Sequence, residues 1–95
     1  MSRPVGDRLV RAVRAALAGF DGPIEATSRP WASITFTGAR HRLILAGGTI
    51  DDDALGALPE HEFTLAGHIV ADVAIIDERA RGGALELEIL TIEGD

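Results

Sequence analysis

The stretch that decides the fold is HIVADVAIID (68–77) followed by ALELEILTIE (84–93). Two runs rich in β-branched and apolar residues flank Arg79, Ala80, Arg81, Gly82 and Gly83, which favour a turn, so the segment reads as a β-hairpin. Its first strand is expected to start as early as Phe63, with Gly67 marking a bulge or bend. Strict alternation about Gly82 and Gly83 puts Val70, Asp72, Ala74, Ile76, Leu85, Leu87 and Ile89 on one face, which is expected to meet a helix. The other face carries Asp77, Arg79, Glu86 and Glu88 near the turn, and Ile69, Ala71, Val73, Ile75, Leu90 and Ile92 farther away. Half of the hairpin is therefore apolar on both sides, and the second apolar area needs a cover from the short helix, another strand layer or a second copy of the chain.

Upstream, 51–58 reads as a short helix, with aspartates near its positive N-terminal end and Pro59 beyond its last turn. A first hairpin precedes it. A short strand over 24–28 is interrupted at Arg29 and Pro30, which predicts an edge position or a bulge. From Trp31 the residues alternate again, with Ala32, Ile34 and Phe36 on the apolar side. A two-residue turn at Gly38 and Ala39 would pair Phe36 with His41, Ile34 with Leu43 and Ala32 with Leu45. At the amino end, Leu9, Val10, Val13, Ala16 and Leu17 form the apolar stripe of a helix over 4–18, which Gly19 is expected to terminate. Arg8, Arg11 and Arg14 occupy its other side and are expected to face water.

These elements predict one compact α+β domain over residues 1–95. One long N-terminal helix packs on a predominantly antiparallel sheet of four or five strands, in the order α-β-β-β-α(short)-β-β. The 95 residues suffice for one hydrophobic core and not for two. No run approaches the roughly 18 to 20 apolar residues of a membrane-spanning helix, and the opening MSRPVGDRL lacks the apolar segment of a secretory signal. The expected location is the cytoplasm, with no membrane association.

A net charge of −6 opposes binding to nucleic acid. The absence of cysteine removes disulfides, thiolate catalysis and thiolate metal sites. All nine basic residues are arginine, a bias best assigned to coding composition. Neither a phosphate-binding glycine loop nor a nucleophile-elbow serine is present, and no cofactor is expected.

Among chemically capable groups, Asp72 is expected to lie among apolar neighbours, where desolvation would raise its pKa and suit it to act as a general base. The bland alternative places it at the sheet margin or against an arginine of the first helix. His41 and His68 are its candidate catalytic companions, and the histidine spacing supports no metal site. Trp31, Arg29, Arg40 and Arg42 can share one exposed side of the first hairpin and offer an aromatic and guanidinium surface to an acidic ligand, or simply cap the core edge and solubilise the hairpin.

Two functions follow as expectations. The first is a non-enzymatic module that self-associates, most simply as a twofold dimer, or binds another protein, through Ile69, Val73, Ile75, Leu90 and Ile92. The second is a small-molecule binding protein or metal-independent enzyme with a pocket around Asp72 and a histidine.

Overall fold

The computed structural model describes residues 5–48, 50–77 and 84–94. Helix α1 (Val5–Ala16) is followed by strands β1 (Ile24–Ala32) and β2 (Thr37–Leu45), helix α2 (Asp52–Ala57) with a 3₁₀ turn (Leu58–Glu60), and strands β3 (His68–Asp77) and β4 (Leu85–Glu93). The four strands form one antiparallel sheet in the order β1-β2-β4-β3, so β2 and β4 are central and β1 and β3 are edges. The expected α+β architecture is present with four strands. The turn expected at Arg79, Gly82 and Gly83 lies outside the described residues.

The helix forms because its apolar stripe has somewhere to go. Leu9 and Val13 of α1 are buried, and Leu17 and Phe20 continue the same line beyond its end. The chain leaves the helix through a bond from the Gly19 amide to the Arg14 carbonyl (3.0 Å), with both Ala18 (φ 58°) and Gly19 (φ 74°) left-handed. The left-handed position next to the helix is thus an alanine, with the steric cost that Gly19 avoids. Two of the three arginines expected in water act as clamps instead. Arg14 donates to the Phe20 and Gly22 carbonyls (2.7 and 2.8 Å), and Arg8 donates to the Ala66 carbonyl (2.9 Å), while Arg11 is exposed.

The first hairpin differs from expectation. One continuous strand runs through Arg29 and Pro30, and the connection is the four-residue loop 33–36. The Ser33 amide donates to the Phe36 carbonyl (2.7 Å), and Ser33 Oγ accepts from the Phe36 amide (3.0 Å). Ile34, expected to point inward, is fully exposed at the tip, and Phe36 is half exposed. Ile24 now opposes Leu45, Ala26 opposes Leu43 and Ser28 opposes His41. Pro30 is accommodated because β1 is an edge, where a missing backbone donor is tolerated. Gly38 is a strand residue: a Cβ there would collide with the Thr91 carbonyl oxygen.

Helix α2 starts where Asp51 caps it, its carboxylate accepting from the Ala54 amide (3.1 Å). Leu55 and Leu58 are buried, with Pro59 inside the 3₁₀ turn. The segment between this turn and β3 is not strand: Leu65 and His68 form an isolated bridge around Gly67, and β3 begins at His68.

Strand β3 departs furthest from simple alternation. Its register against β4 shifts between Val70 and Asp72 and again between Ile75 and Asp77. At the first shift Ala71 is an extra residue, and an extra residue inverts the facing of everything after it. Val73 and Ile75, expected on the outer face, therefore lie on the helix-covered side, Val73 only 7% exposed and Ile75 packed on the core. Asp72, expected inside, is exposed on the outer face opposite Leu90. Val73→Arg should consequently unfold the domain, costing about 3 kcal/mol or more through a buried, unpaired charge. A thermal melt checks this: an unchanged midpoint would contradict the facing assigned to Val73.

Candidate functional site

The sheet presents two surfaces with different chemistry. Beneath α1, at the end of the core where His41 and Thr91 replace the leucines found elsewhere, lies a polar cluster. His41 and Thr91 are fully buried. His41 Nδ1 is 2.7 Å from Ser28 Oγ on β1, and its Nε2 is 2.9 Å from Thr91 Oγ1 on β4. The Thr91 hydroxyl is directed at the Ala39 carbonyl (3.4 Å), which leaves its oxygen to accept from Nε2–H and leaves Nδ1 to accept the Ser28 hydroxyl. Every polar atom of the imidazole is thus satisfied. Burial pushes the His41 pKa below its ordinary value, and the charge of His68 adds to the shift.

His68, at the start of β3, has Nδ1 3.3 Å from an Arg8 guanidinium nitrogen. The first turn of α1 passes beside the exposed Ser28: a Cβ on Gly6 would lie 3.2 Å from Ser28 Oγ. Asp72 is on the opposite side of the sheet, so it does not join either histidine. The Ser28–His41 contact was not legible beforehand because it depends on the register set by the 33–36 loop. The residue types alone, a serine and a histidine thirteen positions apart, carry no such signal.

The other surface is the open face, which no helix covers among the described residues. The strand registers arrange its side chains in cross-strand rows ordered β1, β2, β4, β3. One row is Trp31, Gly38, Ile92 and Ile69; the next is Arg29, Arg40, Leu90 and Asp72; the third is Thr27, Arg42, Glu88 and Ala74. In the fourth, Glu25 is followed by Ile44 and Glu86. Trp31, Arg29, Arg40 and Arg42 thus share a face. Of the residues expected at an interface, Ile69, Leu90 and Ile92 lie here, with Ile69 59% exposed, whereas Val73 and Ile75 do not.

Charges on this face are partly paired. Arg40 bonds Glu88 (3.0 Å) and Arg42 bonds Glu86 (2.9 Å), the latter contact raising the Arg42 pKa. An open groove of about 300 Å³ lies among Thr27, Ser28, Arg29, Arg40, Arg42 and Glu88. Among the described residues no cluster of three or more His, Asp or Glu could hold a metal ion, and no helix is long and apolar enough to cross a membrane. No protein-family model, curated protein or solved structure matches the chain.

The buried imidazole makes stability depend on pH with a definite sign. Its folded pKa lies below the roughly 6.5 of an unfolded chain, so between those values the unfolded chain binds more protons. The stabilisation is complete above pH 6.5 and is lost as the pH falls through and below it, by at most about 1.4 kcal/mol per pH unit from this group. Melting midpoints should therefore drop between pH 7.5 and 5.5, and His41→Asn should lower the neutral-pH midpoint and flatten this dependence. An equally steep profile in the variant would remove His41 as its source.

Proposed function

We propose that the protein is a cytoplasmic self-associating module that packs the open face of its sheet against a second copy. The observation that carries this reading is a four-stranded sheet with the described helices on one side and, on the other, the exposed Ile69 with the half-buried Leu90, Ile92 and Trp31. Water-exposed apolar surface of this kind is stabilised by cover. The edges offer poorer contacts: β1 carries Pro30, and β3 is interrupted by two register shifts, both features that discourage strand addition.

Size and charge favour a second copy over a smaller occupant. Four strands of nine or ten residues give a face of about 19 by 30 Å, or about 600 Å² in projection. A stable interface covers about 800 Å² of accessible surface per partner, so nearly the whole face must be engaged, side-chain relief included. Another sheet face has that extent. The face also places its three arginines on β1 and β2 and, apart from Glu25 on β1, its carboxylates on β4 and β3, a division that two copies can complement mutually.

Light scattering during size-exclusion chromatography should give twice the chain mass at micromolar concentration. Ile69→Arg should yield monomers that still melt cooperatively, with the midpoint of wild type diluted until it dissociates, because Ile69 is already largely exposed within its own chain. A wild-type monomer, or a variant that remains dimeric, would defeat the reading; a complex only with a different protein would replace it.

The second reading, a small-molecule site or metal-independent enzyme, draws support from the 2.7 Å Ser28–His41 contact, which has the reach of a nucleophile and its base. Against it, the imidazole is fully buried with both nitrogens partnered, as expected of a polar contact that serves packing, although Ser28 itself is exposed. Ser28 should stay unmodified by a fluorophosphonate probe, as read by intact-mass spectrometry; stoichiometric labelling lost in His41→Asn would favour the enzyme.

A further inference from the structure

We infer that the two copies are related by a twofold axis parallel to the strands, running between β2 and β4, so that Arg29 of one copy lies over the partner's Asp72; this rests on the reading that the open face self-associates. Packed sheets that align their strands admit two twofold arrangements, with the axis in the interface either along the strands or across them. The side-chain rows distinguish the two.

An axis along the strands keeps each row level with itself and reverses its order. The apolar row then meets its own mirror sequence. Trp31 faces the partner's Ile69, and Ile92 lies over the partner's Gly38 level. In the next row Arg29 faces the partner's Asp72, and in the third Arg42 faces the partner's Glu88. The twofold repeats each of these contacts. An axis across the strands instead keeps each strand over itself and exchanges rows. With that axis between the second and third rows, where it must lie to cover the whole face, Arg40 would meet the partner's Arg42, Ile92 the partner's Glu86 and Trp31 the partner's Glu25. The arrangement along the strands has unfavourable levels too, with Arg40 over the partner's Leu90 and, in the fourth row, Ile44 over the partner's Glu86 and Glu25 level with the partner's Asp77; it nevertheless joins opposite charges at Arg29–Asp72 and Arg42–Glu88, whereas the arrangement across the strands joins none and opposes Arg40 to Arg42 at its centre.

Arg29 and Asp72 are the informative pair. Both are exposed, and among the described residues neither makes an ion pair or a side-chain hydrogen bond. Arg29 stands directly beside Arg40, so within its own chain it has a like-charged neighbour on the strand next to it.

The axis is tested by charge exchange, with dissociation constants from sedimentation equilibrium and thermal melts as the control for folding. Arg29→Glu and Asp72→Arg should each weaken the homodimer about tenfold or more, since each substitution sets two like-charged contacts across the twofold. Mixing the two single variants should restore wild-type affinity in a heterodimer, where Glu at 29 meets Arg at 72 and the native Asp72 meets the native Arg29. The double variant should recover likewise on its own. If the mixture binds no more tightly than either variant alone and the double variant stays weak, the axis is wrong although self-association stands. A monomeric wild-type chain would overturn both.

Discussion

Strand β4 carries the constraint on which the other elements depend. It is bonded on both sides, to β2 and to β3, and its residues alternate without interruption. Leu85, Leu87, Ile89 and Thr91 are buried, while Glu86, Glu88, Leu90 and Ile92 face the other way. A central strand with so regular a pattern leaves its neighbours one choice of facing. On one flank, β2 meets it with Leu45, Leu43 and His41 on the buried side. On the other, β3 cannot satisfy it by simple alternation, because Val70, Val73 and Ile75 do not share a parity. The register shift at Ala71 reconciles the two strands, and the helices then close over the face that results.

The polar end of that buried face shows how the same layer can hold hydrophilic groups. His41 occupies a strand position equivalent to Leu43 and Leu45, yet its two nitrogens reach hydroxyls on the strands at either side. A buried network of this sort is tolerable because each member has a partner, and it favours one register of β1, β2 and β4 over slipped alternatives. The arginines of α1 act comparably at the two ends of the helix. Arg14 binds carbonyls in the turn after it and Arg8 binds the Ala66 carbonyl before β3, so the helix is tied to two connections as well as to the core.

What could be read from residues alone divides along this line between local and nonlocal causes. The apolar stripe of α1, the Asp51 cap of α2 and the alternation of β4 are local patterns, and each appears where its pattern lies. The existence of both hairpins was equally legible. The facing of Val73 was not, because nothing in ADVAII distinguishes an even strand from one with an extra residue; only the demand of β4 does so. The connection of the first hairpin was misplaced because Gly38 resembles a turn residue, whereas its lack of a side chain answers to the Thr91 carbonyl on another strand. Arg29, Arg40, Arg42 and Trp31 were expected together and share the open face, since they keep one parity on either side of the loop. The Ser28, His41 and Thr91 cluster needed three strands in register and left no trace in spacing.

The geometry of the sheet margins has a consequence for valence. Polymer chemists count the reactive ends of a monomer: two give chains, one gives only pairs. Pro30 on one margin and two register shifts on the other discourage the edge-to-edge addition that would string sheets into ribbons. The uncovered face among the described residues, proposed above as the contact, gives the molecule a functionality of one, so association through it is self-terminating.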